Sequence, residues 1–160
     1  MASPKILILL ALCVLPALLV DARPLEDPYH VHGRVYCETC HLGCEHNLVT
    51  YIQGAVVKIV CKDDEDYNIN YSRAGVTGPD GRYKIEVRED HKDDYCFAVL
   101  VSSPQSDCNT IVDGLHQVTA VLTNDNGLPS HERNVNSLGF RKDTKVAGCS
   151  GLVQLFNSDV

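Results

Sequence analysis

The chain has 160 residues, a formal net charge of −7, an isoelectric point near 5.4 and no tryptophan. Lysine and arginine are thinly spread, so neither a nucleic-acid surface nor an anionic-lipid surface is encoded. The length suits one domain with a real core and is too short for two.

Met1 to Ala22 reads as a cleavable secretory leader. Lys5 supplies the positive start, Ile6 to Val20 the apolar run broken by Pro16, and Val20-Asp21-Ala22 the small-residue cleavage site. The run is about 15 residues, short of the roughly 20 a spanning helix needs, so no membrane insertion is expected. The mature domain then runs from Arg23 to Val160 in an oxidising compartment, where cysteines read first as disulfides.

Strand signals follow in order. Val31 to Cys37 alternates, and Ala55 to Cys61 is β-branched and bounded by Gly54 and the acidic run Asp63-Asp64-Glu65-Asp66. Asn70 to Val76 and the alternating Tyr83 to Arg88 are joined by Thr77-Gly78-Pro79-Asp80-Gly81-Arg82, a turn in which Pro79 presets φ and Gly81 takes positive φ. Tyr95 to Val101 is mostly apolar and predicts a central strand buried on both faces. Val118–Leu122 and Asn134–Gly139 are weaker candidates, and helical periodicity is almost absent. The expectation is all-β: one disulfide-stapled antiparallel barrel or sandwich of about six to seven strands. Both acidic runs, the second being Glu89 to Asp94, read as solvated loops, because neither has the spaced ligands and central glycine of a calcium loop.

With Cys13 in the leader, Cys37, Cys40, Cys44, Cys61, Cys96, Cys108 and Cys149 remain, an odd set whose connectivity spacing cannot choose. Cys37, Cys40 and Cys44 with His30, His32, His41 and His46 nearby could hold zinc. The oxidising compartment and the lack of a second tight ligand pair favour disulfides, so no metal or cofactor is expected. A redox-active Cys37/Cys40 pair is disfavoured, since such motifs open helices in parallel-sheet folds. Ser102, Ser103 and Ser106 lack a nucleophile-elbow context, and His91 among its aspartates reads as a charged loop before a core strand. Asn70-Tyr71-Ser72 is an N-glycosylation acceptor.

Ordered motifs around the cysteines carry a family pattern. They are Gly33-Arg34-Val35-Tyr36-Cys37-Glu38-Thr39-Cys40-His41, Gly54-Ala55, Lys58-Ile59-Val60-Cys61-Lys62-Asp63 and Gly81-Arg82-Tyr83. Asp90-His91-Lys92 before Cys96, Ser102-Ser103 before Cys108-Asn109, and Asn136 to Phe140 before Cys149 complete them. Together, over roughly Tyr29 to Phe156, they resemble the pollen Ole e 1 (olive allergen) and extensin-like family of plant secreted proteins. The resemblance implies a barrel-like domain closed by disulfides Cys37–Cys108, Cys40–Cys149 and Cys61–Cys96. Cys44 is left unpaired where the family has Phe, and it stands beside Cys40 as a second candidate for the bridge to Cys149. Other departures are Glu38 for Asp, His41 for Arg, and His32 where Glu or Gln is common.

The resemblance further implies a non-enzymatic protein of the apoplast or cell wall, linked to pollen-tube or wall growth, with a receptor-kinase ectodomain as partner. Loops Glu38–Tyr51 and Asp63–Asn70 are the expected contact surface, since loops carry function on a fixed scaffold. The alternative is a carbohydrate-binding or wall-structural module, of the kind transthyretin-like sandwiches also suggest. The chain is expected to be a monomer or a Cys44-linked dimer.

Overall fold

The computed structural model describes residues 27–158. The leader, its cleavage site, the mature start at Arg23, and Cys13 lie outside the described residues.

Nine strands form two sheets, with one helix after them, among the described residues. Strand β1 (Tyr29–Glu38) is the spine of the first sheet. It pairs antiparallel with β5 (Arg82–Val87) and β2 (Thr50–Tyr51) along one flank, and parallel with β8 (Glu132–Asn134) and β9 (Leu138–Arg141) along the other. The second sheet has the order β4-β3-β6-β7, all antiparallel, from β3 (Val56–Asp63), β4 (Ile69–Val76), β6 (Asp94–Ser102) and β7 (Gln117–Thr119). Helix α1 (Cys149–Ser158) follows the last strand.

Three expectations need correction. The sheets do not close into a barrel: β4 and β7 remain edges of the second sheet, and no strand pairing joins it to the first. The pairing is not wholly antiparallel, because β8 and β9 run alongside β1 in its own direction. Strand β6 is central in its sheet but buried on one face only, with Tyr95 50% and Val101 42% exposed.

The core lies between the sheets. Period-two alternation sends Val31, Val35, Ile85 and Val87 inward from the first sheet, and Val57, Ile59, Ala98 and Leu100 inward from the second. Each valine, leucine and isoleucine among them contributes about 1.5–3 kcal/mol when fully buried. Gly33 occupies an inward position of β1 because Tyr83, its cross-strand partner, fills that space; a Cβ there would sit 2.3 Å from the Tyr83 hydroxyl oxygen. Tyr36 likewise lies over its partner Gly139. Burial pushes the Tyr36 phenol up to about 12, with Glu45, Glu38 and Cys44 adding to the shift.

The Gly78–Gly81 turn carries the chain from the second sheet to the first rather than closing a hairpin. Gly81 donates to the Gly78 carbonyl at 3.0 Å with φ of 73°. A side chain there would also strike the Val35 carbonyl, so glycine is required twice over. Buried Thr77 ties the crossing together, its hydroxyl accepting from the Ala55 amide at 2.9 Å and donating to the Ile52 carbonyl.

Candidate interaction surface

The loop leaving β1 is built around a carboxylate. Glu38 is fully buried, and a buried charge must find donors. Its Oε1 accepts from the amides of Cys40 at 3.1 Å and Leu42 at 3.0 Å, and from His46 Nε2 at 3.3 Å. His46 Nδ1 accepts from the Leu48 amide at 3.1 Å, which leaves the Nε2 proton for Glu38. The Arg141 guanidinium lies 4.0 Å from Glu38 Oε2, a charge contact rather than a hydrogen bond. Two disulfides flank this carboxylate, Cys37–Cys108 with Cα atoms 6.0 Å apart and Cys40–Cys149 at 5.2 Å. Thr39 donates to the Leu48 carbonyl at 2.9 Å, and a ring nitrogen of His41 sits 2.7 Å from the Lys142 carbonyl. The loop's base is thereby clamped, while Gly43, Glu45, Asn47 and Tyr51 face solvent. Cys44 is half-buried on this loop and forms no disulfide.

The Asp63–Asn70 segment is a hairpin turn that satisfies itself. Asp63 Oδ1 accepts from the Glu65 and Asp66 amides, and Asp66 accepts from the Asn68 amide and side chain. Those Asn68 bonds hold the Asp66 carboxyl below its ordinary value. At its base the exposed rings of Tyr67 and Tyr95 stack with centroids 5.7 Å apart. Asn70 lies exposed on edge strand β4 and donates to Asp94 Oδ1 at 2.7 Å. Asp94 Oδ2 is 2.7 Å from Nδ1 of buried His91, whose Nε2 has no hydrogen-bond partner. Cys61, His91 and Cys96 bring three potential ligand atoms within 4.8 Å of one another. The two sulfurs are joined as Cys61–Cys96, a register pair of β3 and β6, so they offer no thiolate to a cation. His91 is thus a core-lining residue facing a disulfide, and no serine hydroxyl is its partner; Ser103 Oγ accepts from the Gln105 amide instead.

The residues that sequence reasoning missed lie on the outer face of the second sheet. Cross-strand pairs Val60–Phe97, Lys58–Val99 and Val56–Val76 place a half-buried apolar stripe there, with Lys58 and Lys62 among it. Val76, Tyr95 and Val101 at its margin are 62%, 50% and 42% exposed, and among the described residues no other element packs across it. The signal was present in the unbroken apolar run of β6, which also reads as a strand buried on both faces. Arg133 was equally unmarked: it is buried, its Nε donates to the Val121 carbonyl at 2.8 Å, and it lies over the Tyr29 ring at 5.0 Å.

Several surface carboxylates are held below their ordinary values by hydrogen bonds. Hydrogen bonds hold Glu132 (from His32 first, then His30), Glu86 (from Arg88) and Asp107 (from Lys142) below their ordinary values. For Asp90, burial raises the value but is outweighed by hydrogen bonds from the Asn124 amide, Thr123, Tyr29 and the Lys92 amide. A folded-state value below the unfolded one gives stability that is full above the unfolded carboxylate range, about 4, and is lost as acid titrates through the folded values. Melting temperature is therefore expected to fall as pH drops below about 4, and Glu132→Gln should blunt that fall. Thermal melts across the acid range check it; a profile unchanged by the substitution would remove Glu132 from the account.

Two stacked sheets stapled by three disulfides define a small disulfide-stabilised β-sandwich, and comparison supplies the family. The model described as "Pollen protein Ole e 1 like" matches residues 27–157, and the chain belongs to that family. It is 40% identical over 159 residues to "Protein DOWNSTREAM OF FLC" of Arabidopsis thaliana, covering 99% of this chain and 96% of that protein. It is 36% identical over 147 residues to "Anther-specific protein LAT52" of Solanum lycopersicum, covering 92% and 91%. Among solved structures, the major plantain pollen allergen Pla l 1 superposes with a TM-score of 0.68 at 33% identity, over 76% of this chain and 99% of that one.

Proposed function

We propose that this chain is a secreted, non-enzymatic interaction protein of the plant apoplast or cell wall, acting in pollen-tube or wall growth through a receptor-ectodomain partner. The observation that carries this reading is the outer face of β4-β3-β6-β7, where apolar side chains and two lysines stand uncovered. Patches of this kind on a small domain mark protein contact sites. Lys58 and Lys62 select a partner that presents acidic residues around an apolar centre. The names of similar proteins, pollen-specific and anther-specific, support a role in pollen.

The test is saturable binding of the oxidised, secreted protein to a panel of pollen receptor ectodomains. Val101→Glu and Lys58→Glu, both at exposed positions, should each weaken binding about tenfold or more. Binding left intact by both substitutions would remove the face from the contact. The carbohydrate-binding alternative rests on the stacked Tyr67 and Tyr95, 62% and 50% exposed. Retention on wall polysaccharide, lost in Tyr67→Ala with no ectodomain binding, would replace the first reading with the second. Asn70 is proposed as a glycosylation site on the exposed edge. Peptide-N-glycosidase treatment should lower the mass of the secreted wild type and leave Asn70→Gln unchanged; equal masses before and after treatment of the wild type would discard it. In the same reading Cys44 is free or links two copies, and Cys44→Ser should abolish any dimer seen on non-reducing gels.

A further inference from the structure

The first sheet opens at one point along its β1 spine. Strand β8 pairs with β1 as far as His32, and β9 resumes the pairing at Val35, so Gly33 and Arg34 have no strand partner on that flank. A cavity of about 280 Å³ lies at this gap, with Arg34, Glu45, Arg82, Tyr83, Asn134 and Ser137 in its lining. That volume is just below the roughly 300–1,000 Å³ of small-molecule sites and accommodates one ring-sized molecule. Tyr83 reaches the cavity from the core side: its ring covers Gly33, and the residue is 3% exposed. Its hydroxyl is buried with no hydrogen-bond partner, a costly state that calls for an acceptor. Burial pushes the phenol's pKa upward, so it meets a ligand as a donor.

We propose that this cavity binds a hydroxylated carboxylate of the sugar-acid class. The groups its lining leaves unsatisfied are mainly donors. The Arg34 guanidinium sits 4.2 Å over the Tyr51 ring and makes no ion pair among the described residues. Held on an aromatic face, it keeps its planar fork of N–H groups free for a carboxylate. Arg82, the register partner of Arg34 on β5, adds a second positive charge, although Asp80 already holds it at 3.1 Å. The Tyr83 hydroxyl and the side chains of Asn134 and Ser137, which bond nothing else among the described residues, match the hydroxyls of such an acid. Of the described lining residues only Val135 has an aliphatic side chain, so a lipid finds little to pack against. The opposing group is Glu45, whose carboxylate lines the same cavity and accepts from the Tyr51 hydroxyl at 2.7 Å. Its charge weakens the binding of an anion without occupying the Arg34 fork. The site belongs to the first sheet and does not depend on the contact face proposed for the second.

The experiment titrates galacturonate into the disulfide-intact protein, with galactose and acetate as controls. Calorimetry should give one molecule per chain, the amide resonances of Gly33, Arg34 and Ser137 should move, and both controls should bind at least about tenfold more weakly. Tyr83→Phe, which keeps the ring over Gly33, and Arg34→Gln should each weaken binding about tenfold. Glu45→Gln keeps an acceptor for Tyr51 and should tighten binding about threefold, a gain that no folding defect imitates. Val101→Glu and Tyr67→Ala, on the second sheet and its hairpin, should leave the affinity unchanged. A linear trimer of galacturonate binding more tightly than the monomer assigns the acid to a polysaccharide chain, and equal affinity assigns it to the free acid; either supports the site. No binding up to about 10 mM would overturn it. So would galactose or acetate binding as tightly as galacturonate, or undiminished binding by both Tyr83→Phe and Arg34→Gln.

Discussion

Replacing Cys37 and Cys108 together by alanine is expected to lower the unfolding free energy by about 4 kcal/mol. The bridge closes a sequence separation of 71, and both cysteines are buried, at 1% and 0% exposure, between the β1 spine and the segment after β6. For a domain of this size that corresponds to a fall in melting temperature of roughly 12–16 °C. Loop length alone ranks Cys40–Cys149 higher, because its separation is 109. The structure reverses the ranking. Cys149 opens helix α1, whose Leu152 and Val153 are only half-buried and whose Leu155 is 63% exposed. Without that bridge the helix can detach while the sheets stay packed, so Cys40→Ala with Cys149→Ala should shift the melt by less than half as much. Calorimetry of both pairs, with hydrogen exchange of residues 149–158, decides it. Equal or greater loss from the Cys40–Cys149 pair would make α1 part of the cooperative unit and sink the argument.

What the sequence disclosed follows from where one physical rule acted alone. Strands β1, β3 and β5 alternate because one face meets the core and the other meets water, and their extents were legible from residues 31–37, 55–61 and 83–88. Asn134–Gly139 read as one weak strand, yet the structure divides it. Glu132–Asn134 and Leu138–Arg141 each pair with β1, and Val135 between them donates to the His32 carbonyl at 2.9 Å. Pairing alongside a parallel neighbour leaves no local signature, because the partner is a hundred residues away in sequence. Helix α1 was invisible for a different reason: its sequence has no acidic first turn, no basic last turn and a glycine at 151. The apolar run of β6 misled in an informative way. Hydrophobicity measures a tendency to be covered, and among the described residues nothing covers the outer face of β6, so the run overstated the burial of that face. Cysteine pairing lay beyond spacing altogether and entered through the family motifs.

The second large effect is expected at Glu38, which a strand-end glutamate gives no cause to single out. Glu38→Ala should cost about 3–5 kcal/mol, because it leaves the Cys40 and Leu42 amides and His46 Nε2 without their acceptor and Arg141 beside an uncharged cavity. Glu38→Gln keeps an oxygen for those donors and loses only the charge facing Arg141, so a loss of about 1–2 kcal/mol is expected. The ratio between the two separates the buried acceptor from the ion pair, which is already weak at 4.0 Å. The damage should also be local before it is global. His46 anchors the loop through both ring nitrogens, one to Glu38 and one to the Leu48 amide. Freeing it should expose Cys44, and the rate of Cys44 alkylation under native conditions should rise in Glu38→Ala well below its melting temperature. An alanine variant that melts with the wild type and keeps Cys44 equally slow to react would show that the loop is held by its disulfides alone. If the alkylation rate rises as expected, the same carboxylate that stabilises the fold also sets how rigidly the exposed Glu45, Asn47 and Tyr51 are held at the surface.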